Sequence, residues 1–217
     1  MLRFAEEITL LALNDETGKM HRNLEEQSFE CAIAGALLLE LAFMNRVDTD
    51  VDNLMLLNTE PTGDTLLNEA IAALKIAGDK MQITQAIAKL TLKARDIEPR
   101  LLASLVYKGI LEEKDSSFLW IKGERTYPMI EGKEEMEVRT RIRKIILTDT
   151  IPDPRDIAII SLMEACKLHR TVFVPEELSS CRKKIKQVAA MEFIGQAMLQ
   201  ALEEIKESSL EEIAHKA

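Results

Sequence analysis

Apolar residues recur at helical spacing along most of the chain, and this pattern predicts a mainly α protein. Residues 24–45 are apolar almost all round in their second half, so we expect a central helix that other elements surround. Asp64 occupies a preferred N-cap position, and Pro99 lies in the first turn of a helix that Gly109 ends. The other predicted helices span residues 4–14, 65–76, 83–94, 99–108, 134–147, 155–168 and 183–207, with a short one beginning at residue 175.

Two β-hairpins interrupt the helical pattern. The first is predicted to pair residues 46–50 with residues 53–58. The second follows the helix that begins at Pro99. There, residues 110–113 and 118–121 flank a four-residue loop, which is the spacing of a small hairpin.

The second hairpin carries the apolar side chains that we expect to project from the body of the protein. Alternation along the strand places Phe118 and Trp120 on one face and Leu119 on the other. One face packs inward, and the other is available to a membrane, a second subunit or another partner. The contact residues predicted there are Phe118, Leu119, Trp120 and Ile121. We therefore expect a single compact helical domain with a protruding β-hairpin over residues 1–207, followed by a charged tail, residues 208–217.

Composition is that of an ordinary globular protein, with 47% apolar and 30% charged residues among 217. The formal net charge is -9, so bulk attraction to nucleic acid or to an anionic membrane is not expected, and any polyanion site must be a local basic patch. The longest apolar run, residues 31–44, is interrupted by Glu40 and is shorter than the roughly 20 residues that cross a bilayer. We expect no signal peptide, because residues 1–11 lack the run of seven or more apolar residues that one needs. Three widely spaced cysteines indicate reduced thiols and a cytoplasmic protein.

A helix followed by a hairpin is also typical of a winged-helix DNA reader, so charge must separate the alternatives. Residues 95–125 contain six cationic and six acidic side chains and are therefore neutral. Readers of the major groove are basic at this position because they anchor on phosphates. We expect no nucleic acid partner.

The candidate metal site of the sequence is a weak one. Asp48, Asp50 and Asp52 match the opening of a calcium loop, but Asn53 stands where such a loop needs Gly and Thr59 where it needs a bidentate Glu. We interpret the segment as a solvated acidic turn and expect no metal.

The sequence gives no support to catalysis. Cys166 and His169 are three apart on one helix face, but no third group is implied that would orient the histidine, so we expect a core cysteine beside a surface histidine. No glycine-rich phosphate loop occurs, and no cofactor is expected. Two basic helix segments, residues 139–144 and 182–186, are interpreted as solvated helix faces. We expect a protein that is not an enzyme.

Several motifs in a fixed order resemble one known family. They are Glu-Glu-Ile-Thr-Leu-Leu-Ala-Leu at residues 6–13, Leu-Leu-Leu-Glu-Leu-Ala at 37–42, Pro-Thr-Gly-Asp-x-Leu-Leu-Asn-Glu-Ala at 61–70, and the segment 100–111 with Tyr127-Pro128 behind it. Order and spacing over roughly residues 2 to 205 are similar to those of the Golgi phosphoprotein 3 family, and the third motif is the most specific. The chain resembles a stand-alone prokaryotic-type member, without the basic N-terminal extension of Golgi members.

The resemblance implies a mostly helical domain that binds phosphatidylinositol 4-phosphate at a membrane surface. It also implies a homo-oligomer formed through the hairpin, protein clients, and a cytoplasmic, peripherally membrane-associated location. In the family, the lipid site uses a Trp and an Arg near the central helix and two Arg three apart before the hairpin. The corresponding residues here are Glu25, Ala34, Arg95 and Glu98, so the resemblance carries only Arg95 over.

Other basic side chains are candidates to complete the anion site around Arg95. A phosphomonoester carries close to two negative charges and needs two or more cationic donors. The residues expected to supply them are Arg22, Lys93 and Arg100. The alternative, which the sequence leaves open, is a protein-interaction or oligomerisation module of the same fold that has lost lipid binding.

Overall fold

The computed structural model describes residues 2–15, 17–21, 24–115 and 125–216, apart from the side chains of residues 115 and 205–216. Helices dominate these residues, as predicted. They are α1 (Phe4–Ala12), α2 (Glu26–Phe43), α3 (Thr65–Lys75), α4 (Ile83–Tyr107), α5 (Lys133–Leu147), α6 (Pro154–Ala165), α7 (His169–Val172), α8 (Pro175–Ala189) and α9 (Phe193–Lys216). The strands are β1 (Val47–Thr49), β2 (Asn53–Leu56), β3 (Lys80–Gln82), β4 (Lys114–Asp115) and β5 (Arg125–Thr126).

Helix α2 forms the centre of the domain, because it is apolar on every side along most of its length. Helices α1, α3, α4, α6 and α9 all pack on it. At Gly35 the approach is so close that a Cβ atom would lie 2.1 Å from the Sδ atom of Met198 on α9. The prediction of a mainly α fold with a hairpin is confirmed, and the central helix is confirmed with it.

The first hairpin is confirmed and gains a third strand that the sequence did not predict. Strands β1 and β2 pair antiparallel, with Val47 opposite Leu56. Strand β3 then pairs with the other edge of β2, with Leu54 opposite Met81. Strand β3 has three residues, and only Met81 is apolar and buried. One apolar residue is too few to show the alternation of apolar and polar positions that predicts a strand.

The two helices predicted on either side of Pro99 are one helix, α4, and the prediction of a helix start there is wrong. A proline inside a helix removes one backbone hydrogen bond, here to the carbonyl of Arg95. Pro99 lies on the exposed side of α4, where water can replace that bond. The buried side chains of Ala94, Ile97 and Leu101 keep the opposite face continuous.

The second hairpin has a different register from the predicted one. Lys114 pairs with Thr126 and Asp115 with Arg125, so both residues lie in a strand and not in the predicted four-residue loop. The ladder continues the bridge between Leu111 and Met129 at the base of the hairpin, and backbone pairing there outweighs the turn preference of polar residues. Residues 116–124 lie outside the described part of the chain, and with them the predicted contact residues Phe118, Leu119, Trp120 and Ile121.

The predicted helix over residues 183–207 is also divided, because α8 ends at Ala189 and α9 begins at Phe193. Glu192 supplies the break. Its carboxylate accepts hydrogen bonds from the backbone N–H groups of Ile194 at 3.0 Å and Gly195 at 2.5 Å, which satisfies orphan donors of the first turn of α9.

The basic side chains of α5 are not a solvated face, as the sequence analysis expected. Three of its arginines instead reach acidic partners: Arg141 and Arg143 tie α5 to α1, α6 and α8, whereas Arg139 pairs within α5. The pairs are Arg139 with Glu135, Arg141 with Glu7 and Asp156, and Arg143 with Glu177. These cations are therefore used inside the fold, and they do not form an anion-binding surface.

Candidate functional site

The candidate site is a groove between the N-terminal halves of α2 and α4, with a volume of about 640 Å³. We call it the α2–α4 groove. Its wall combines amide, charged and apolar groups, and Leu92 on it is 86% exposed. The residues that line it are Gln27, Glu30, Gln85, Ala88, Lys89, Thr91, Leu92 and Arg95.

Arg95 projects from α4 into this groove and is held by two carboxylates of α2. Its Nε donates to Glu30 Oε1 at 3.1 Å, and its NH2 group lies 3.2 Å from Glu26 Oε1. The hydrogen bond that Arg95 donates to Glu30, followed by the negative charges of Glu30 and Glu26, raises the pKa of Arg95. The guanidinium therefore stays charged, and the two carboxylates offset its charge, although the Arg95 side chain is 74% exposed.

Glu98 adds a third carboxylate to this corner of the groove. It lies one turn after Arg95 on α4 and is partly buried, and its pKa is raised by desolvation and then by the negative charges of Glu26 and Glu30. Among the lining residues themselves, Glu30 is acidic and Arg95 and Lys89 are cationic. Glu26 and Glu98 lie beside Arg95 and add negative charge there, so the positive charge of Arg95 is offset by its surroundings.

Two of the other cations expected around Arg95, Lys93 and Arg100, do not converge on it. Lys93 is two positions away on the same helix, so its side chain leaves on nearly the opposite face. Arg100 forms a bidentate pair with Glu69 of α3, at 2.7 and 2.9 Å. Lys93 also acts on Glu69, whose pKa is lowered chiefly by the hydrogen bond from Arg100 and least by the charge of Lys93. Arg22 lies outside the described residues.

The α2–α4 groove lies at the N-terminal end of the central helix. This is the region where the family resemblance predicts a ligand site. A family model for Golgi phosphoprotein 3 (GPP34) matches residues 4–205 of this chain. The chain belongs to the Golgi phosphoprotein 3 family. The family predicted from the sequence is confirmed.

One curated relative of this family member is vacuolar protein sorting-associated protein 74 of Schizosaccharomyces pombe. The two are 26% identical over 171 residues, which are 69% of this chain and 50% of the relative. This chain therefore spans about half the length of the relative that it matches. Neither the family name nor the relative's name denotes an enzyme.

The structure describes three residues that the resemblance aligned with the family's lipid site in this member of the Golgi phosphoprotein 3 family, namely Glu25, Ala34 and Glu98. Ala34 is fully buried within the central helix, so it cannot contact a ligand from the surface. Glu25 is the exposed N-cap residue of α2. Together with Glu98, these residues replace the expected aromatic and cationic groups with a methyl group and two carboxylates.

Glu6 and Glu7 belong to the motif that indicated the family, and both are buried. Glu6 accepts hydrogen bonds from Lys108 Nζ at 2.6 Å and from Ser104 Oγ at 2.9 Å, and it pairs with Arg3. Burial raises the pKa of Glu6, but the hydrogen bonds from Arg3 and Lys108 outweigh it and hold the pKa at about 2. The motif is therefore structural, since it locks α1 onto the end of α4.

Cys166 and His169 do not form a nucleophile and base pair. Cys166 is buried, and desolvation raises its pKa well above the ordinary value, so the thiolate is disfavoured. His169 was expected at the surface, and this is wrong, because it is 5% exposed. Its Nε2 lies 2.6 Å from the NH1 group of Arg182.

Two negative findings apply to the residues that the structure describes. Within them, no group of three or more His, Cys, Asp or Glu side chains is arranged to hold a metal ion. No helix there combines the length and the apolar character needed to cross a membrane.

Proposed function

We propose that this chain is a non-enzymatic adaptor that binds a protein partner through the α2–α4 groove. The relative's name, a protein associated with vacuolar protein sorting, supports a role in protein sorting. We assign this role to residues 1–207, with residues 208–217 as a charged tail, and place it at the cytoplasmic side of a membrane with which the protein associates peripherally.

The observation that carries this proposal is the pair of contacts between Arg95 and the carboxylates of Glu26 and Glu30. A headgroup phosphate with close to two negative charges has to break both contacts and then lie beside three carboxylates. A cationic side chain on a protein segment meets no such cost. The exposed Leu92 offers it an apolar neighbour in the same groove.

A synthetic peptide of alternating Lys and Leu, titrated calorimetrically, tests this proposal against its Glu and Leu analogue. We expect the Lys peptide to bind and the Glu peptide not to bind. The double variant Glu26→Gln with Glu30→Gln is expected to weaken binding about tenfold. The pair Glu60→Gln with Glu176→Gln removes the same charge elsewhere and serves as the control. Equal weakening by both pairs, or no binding by the wild type, contradicts the proposal.

A second candidate is a peripheral membrane adaptor that binds phosphatidylinositol 4-phosphate through Arg95, with Arg22, Lys93 and Arg100 as helpers. The observation in its favour is the 74% exposure of Arg95 and the presence of Lys89 on the same wall. A headgroup that displaces Glu26 can contact both Arg95 and Lys89 in the same groove. This candidate requires Arg95→Ala to abolish sedimentation with vesicles that contain this lipid, whereas the first candidate requires Arg95→Ala to behave as the wild type.

A further inference from the structure

A second cavity, of about 1010 Å³, lies between α7 and the first turns of α8. We call it the α7–α8 pocket. It is separate from the α2–α4 groove, since the two share no lining residue. The residues that line it are Lys167, His169, Arg170, Phe173, Pro175, Leu178, Ser179 and Arg182.

The wall of this pocket is strongly basic. Three cationic side chains reach it, from Lys167, Arg170 and Arg182, and within the described residues no acidic side chain lines it. Helix α8 also begins at this wall, at Pro175, and Glu176 and Glu177 in its first turn offset the positive end of its macrodipole, so the basic character comes from the three side chains. The pocket is thus a local basic patch in a chain of net charge -9.

Local backbone geometry brings these groups together. Helix α6 ends at Ala165, and Lys167 takes the left-handed conformation, with φ of 59°. Its N–H bonds to the carbonyl of Glu164, and the chain then turns directly into α7. Lys167 and His169 thereby come to the same wall. A non-glycine residue in this conformation is uncommon and is often found where the chain serves a site.

Two buried side chains, Glu164 and His169, hold Arg182 at the wall of the pocket. Arginine can only donate, so Nε2 of His169 accepts from Arg182 at 2.6 Å and the ring proton is on Nδ1. That Nδ1 lies 3.5 Å from Glu164 Oε2, and neither atom has a hydrogen-bond partner among the described residues. Glu164 is also 3.7 Å from Arg182. A nearly buried polar ring at the wall of an otherwise cationic cavity is a group poised to respond to a bound anion.

We propose that the α7–α8 pocket binds a phosphate monoester. Such a group carries close to two negative charges. Lys167 and Arg170 supply two cations, and Arg182, partly compensated by Glu164, supplies the third with the planar donor fork that suits phosphate oxygens. The same chemistry is presented by a free phosphorylated small molecule and by a phosphorylated lipid headgroup. The proposal is independent of the partner of the α2–α4 groove.

The test is an NMR titration of the full chain with inorganic phosphate, followed through the ring resonances of His169. The chain has three histidines, so substitution of His21 and of His215 assigns the ring signals. A second arm measures sedimentation with phosphatidylcholine vesicles, with and without a phosphatidylinositol monophosphate. Each arm uses the wild type, the double variant Lys167→Glu with Arg170→Glu, and Lys183→Glu. Lys183 is an exposed cation on α8 outside the pocket wall, and therefore controls for charge.

We expect saturable shifts of the His169 ring, weakened about tenfold in the double variant and almost unchanged in Lys183→Glu. Shifts with phosphate but no vesicle binding identify a soluble ligand. Vesicle binding that requires both the headgroup and the two cations identifies a lipid. The proposal is overturned if neither arm responds, or if Lys183→Glu weakens binding as much as the double variant does.

Discussion

Arg95 of α4 donates a hydrogen bond of 3.1 Å to Glu30 of α2, across the groove where a ligand would lie. The one cation that the family resemblance carried over is therefore engaged by the protein itself. The same contact joins two helices, so Arg95 has a structural partner before any ligand arrives. What this contact contributes to stability can be separated from what buried ion pairs contribute.

Arg95→Ala is expected to leave thermal stability almost unchanged, because ion pairs between exposed side chains contribute little. The matched variant is Arg141→Ala. Arg141 pairs with the buried carboxylates of Glu7 and Asp156, and its loss leaves Asp156 without this partner. We expect it to lower the free energy of unfolding by about 2 kcal/mol or more. Chemical denaturation of the two variants measures both values, and equal losses would contradict the distinction.

The buried carboxylate of Glu6 makes stability depend on pH. Its folded pKa of about 2 lies below the ordinary value of 4.5. Its contribution is therefore complete above pH 4.5 and is lost as the pH falls towards 2. Glu6→Gln is expected to cost about 3 kcal/mol at pH 7, and the difference from the wild type is expected to shrink over that window. Denaturation at several pH values measures it.

The exposed Glu112→Gln is the control for this pH series, because Glu112 pairs with Lys114 at the surface. It is expected to follow the wild type at every pH. A difference between Glu6→Gln and the wild type that stays constant down to pH 2 would show that Glu6 does not titrate in the folded state as described.

Gly18 fixes the contact between the turn after α1 and the far side of the second hairpin. Its φ is +62°, its carbonyl accepts from the N–H of Tyr127 at 2.8 Å, and a Cβ atom would lie 2.1 Å from the backbone N of Pro128. Gly18→Ala is expected to cost about 3 kcal/mol or more. Gly63→Ala is the control, because its φ is +82° but the space around it is open. It is expected to cost about 1 kcal/mol, the backbone penalty alone.

The features that the sequence predicted correctly are those that local interactions determine. Asp64 caps α3 by accepting from the N–H groups of Leu66 and Leu67, two and three residues away, so a short pattern was sufficient. The partners of Arg95 are different, because Glu30 is 65 positions away. No sequence periodicity reveals a pairing at that separation, so only the fold shows that carboxylates offset the charge of Arg95.

Pro99 shows why helix boundaries were less well predicted than helix faces. The residue before a proline is biased away from the helical region, so a break was a reasonable local expectation. Burial on the opposite face of α4 decided otherwise, with Ala94 and Leu101 both fully buried. The stabilisation from that packing comes from contacts with the rest of the domain, so it cannot be predicted from the local sequence around Pro99.

We propose that the second hairpin mediates self-association through residues 118–121, and light scattering measures this directly. Replacing residues 116–124 with two glycines keeps the pairing of Lys114 with Thr126 and removes the apolar tip. The variant is expected to have a lower mass than the wild type at the same concentration, with unchanged helical circular dichroism. An unchanged mass would remove this role from the hairpin.

The most direct test of the account compares the binding of phosphatidylinositol 4-phosphate vesicles by three forms of the protein. They are the wild type, Arg95→Ala, and the triple variant Glu26→Gln, Glu30→Gln, Glu98→Gln. If the carboxylates neutralise Arg95, the first two forms bind equally, whatever the α7–α8 pocket adds, and the triple variant binds at least about tenfold more tightly. A wild type that binds these vesicles and loses that binding on Arg95→Ala would contradict the account.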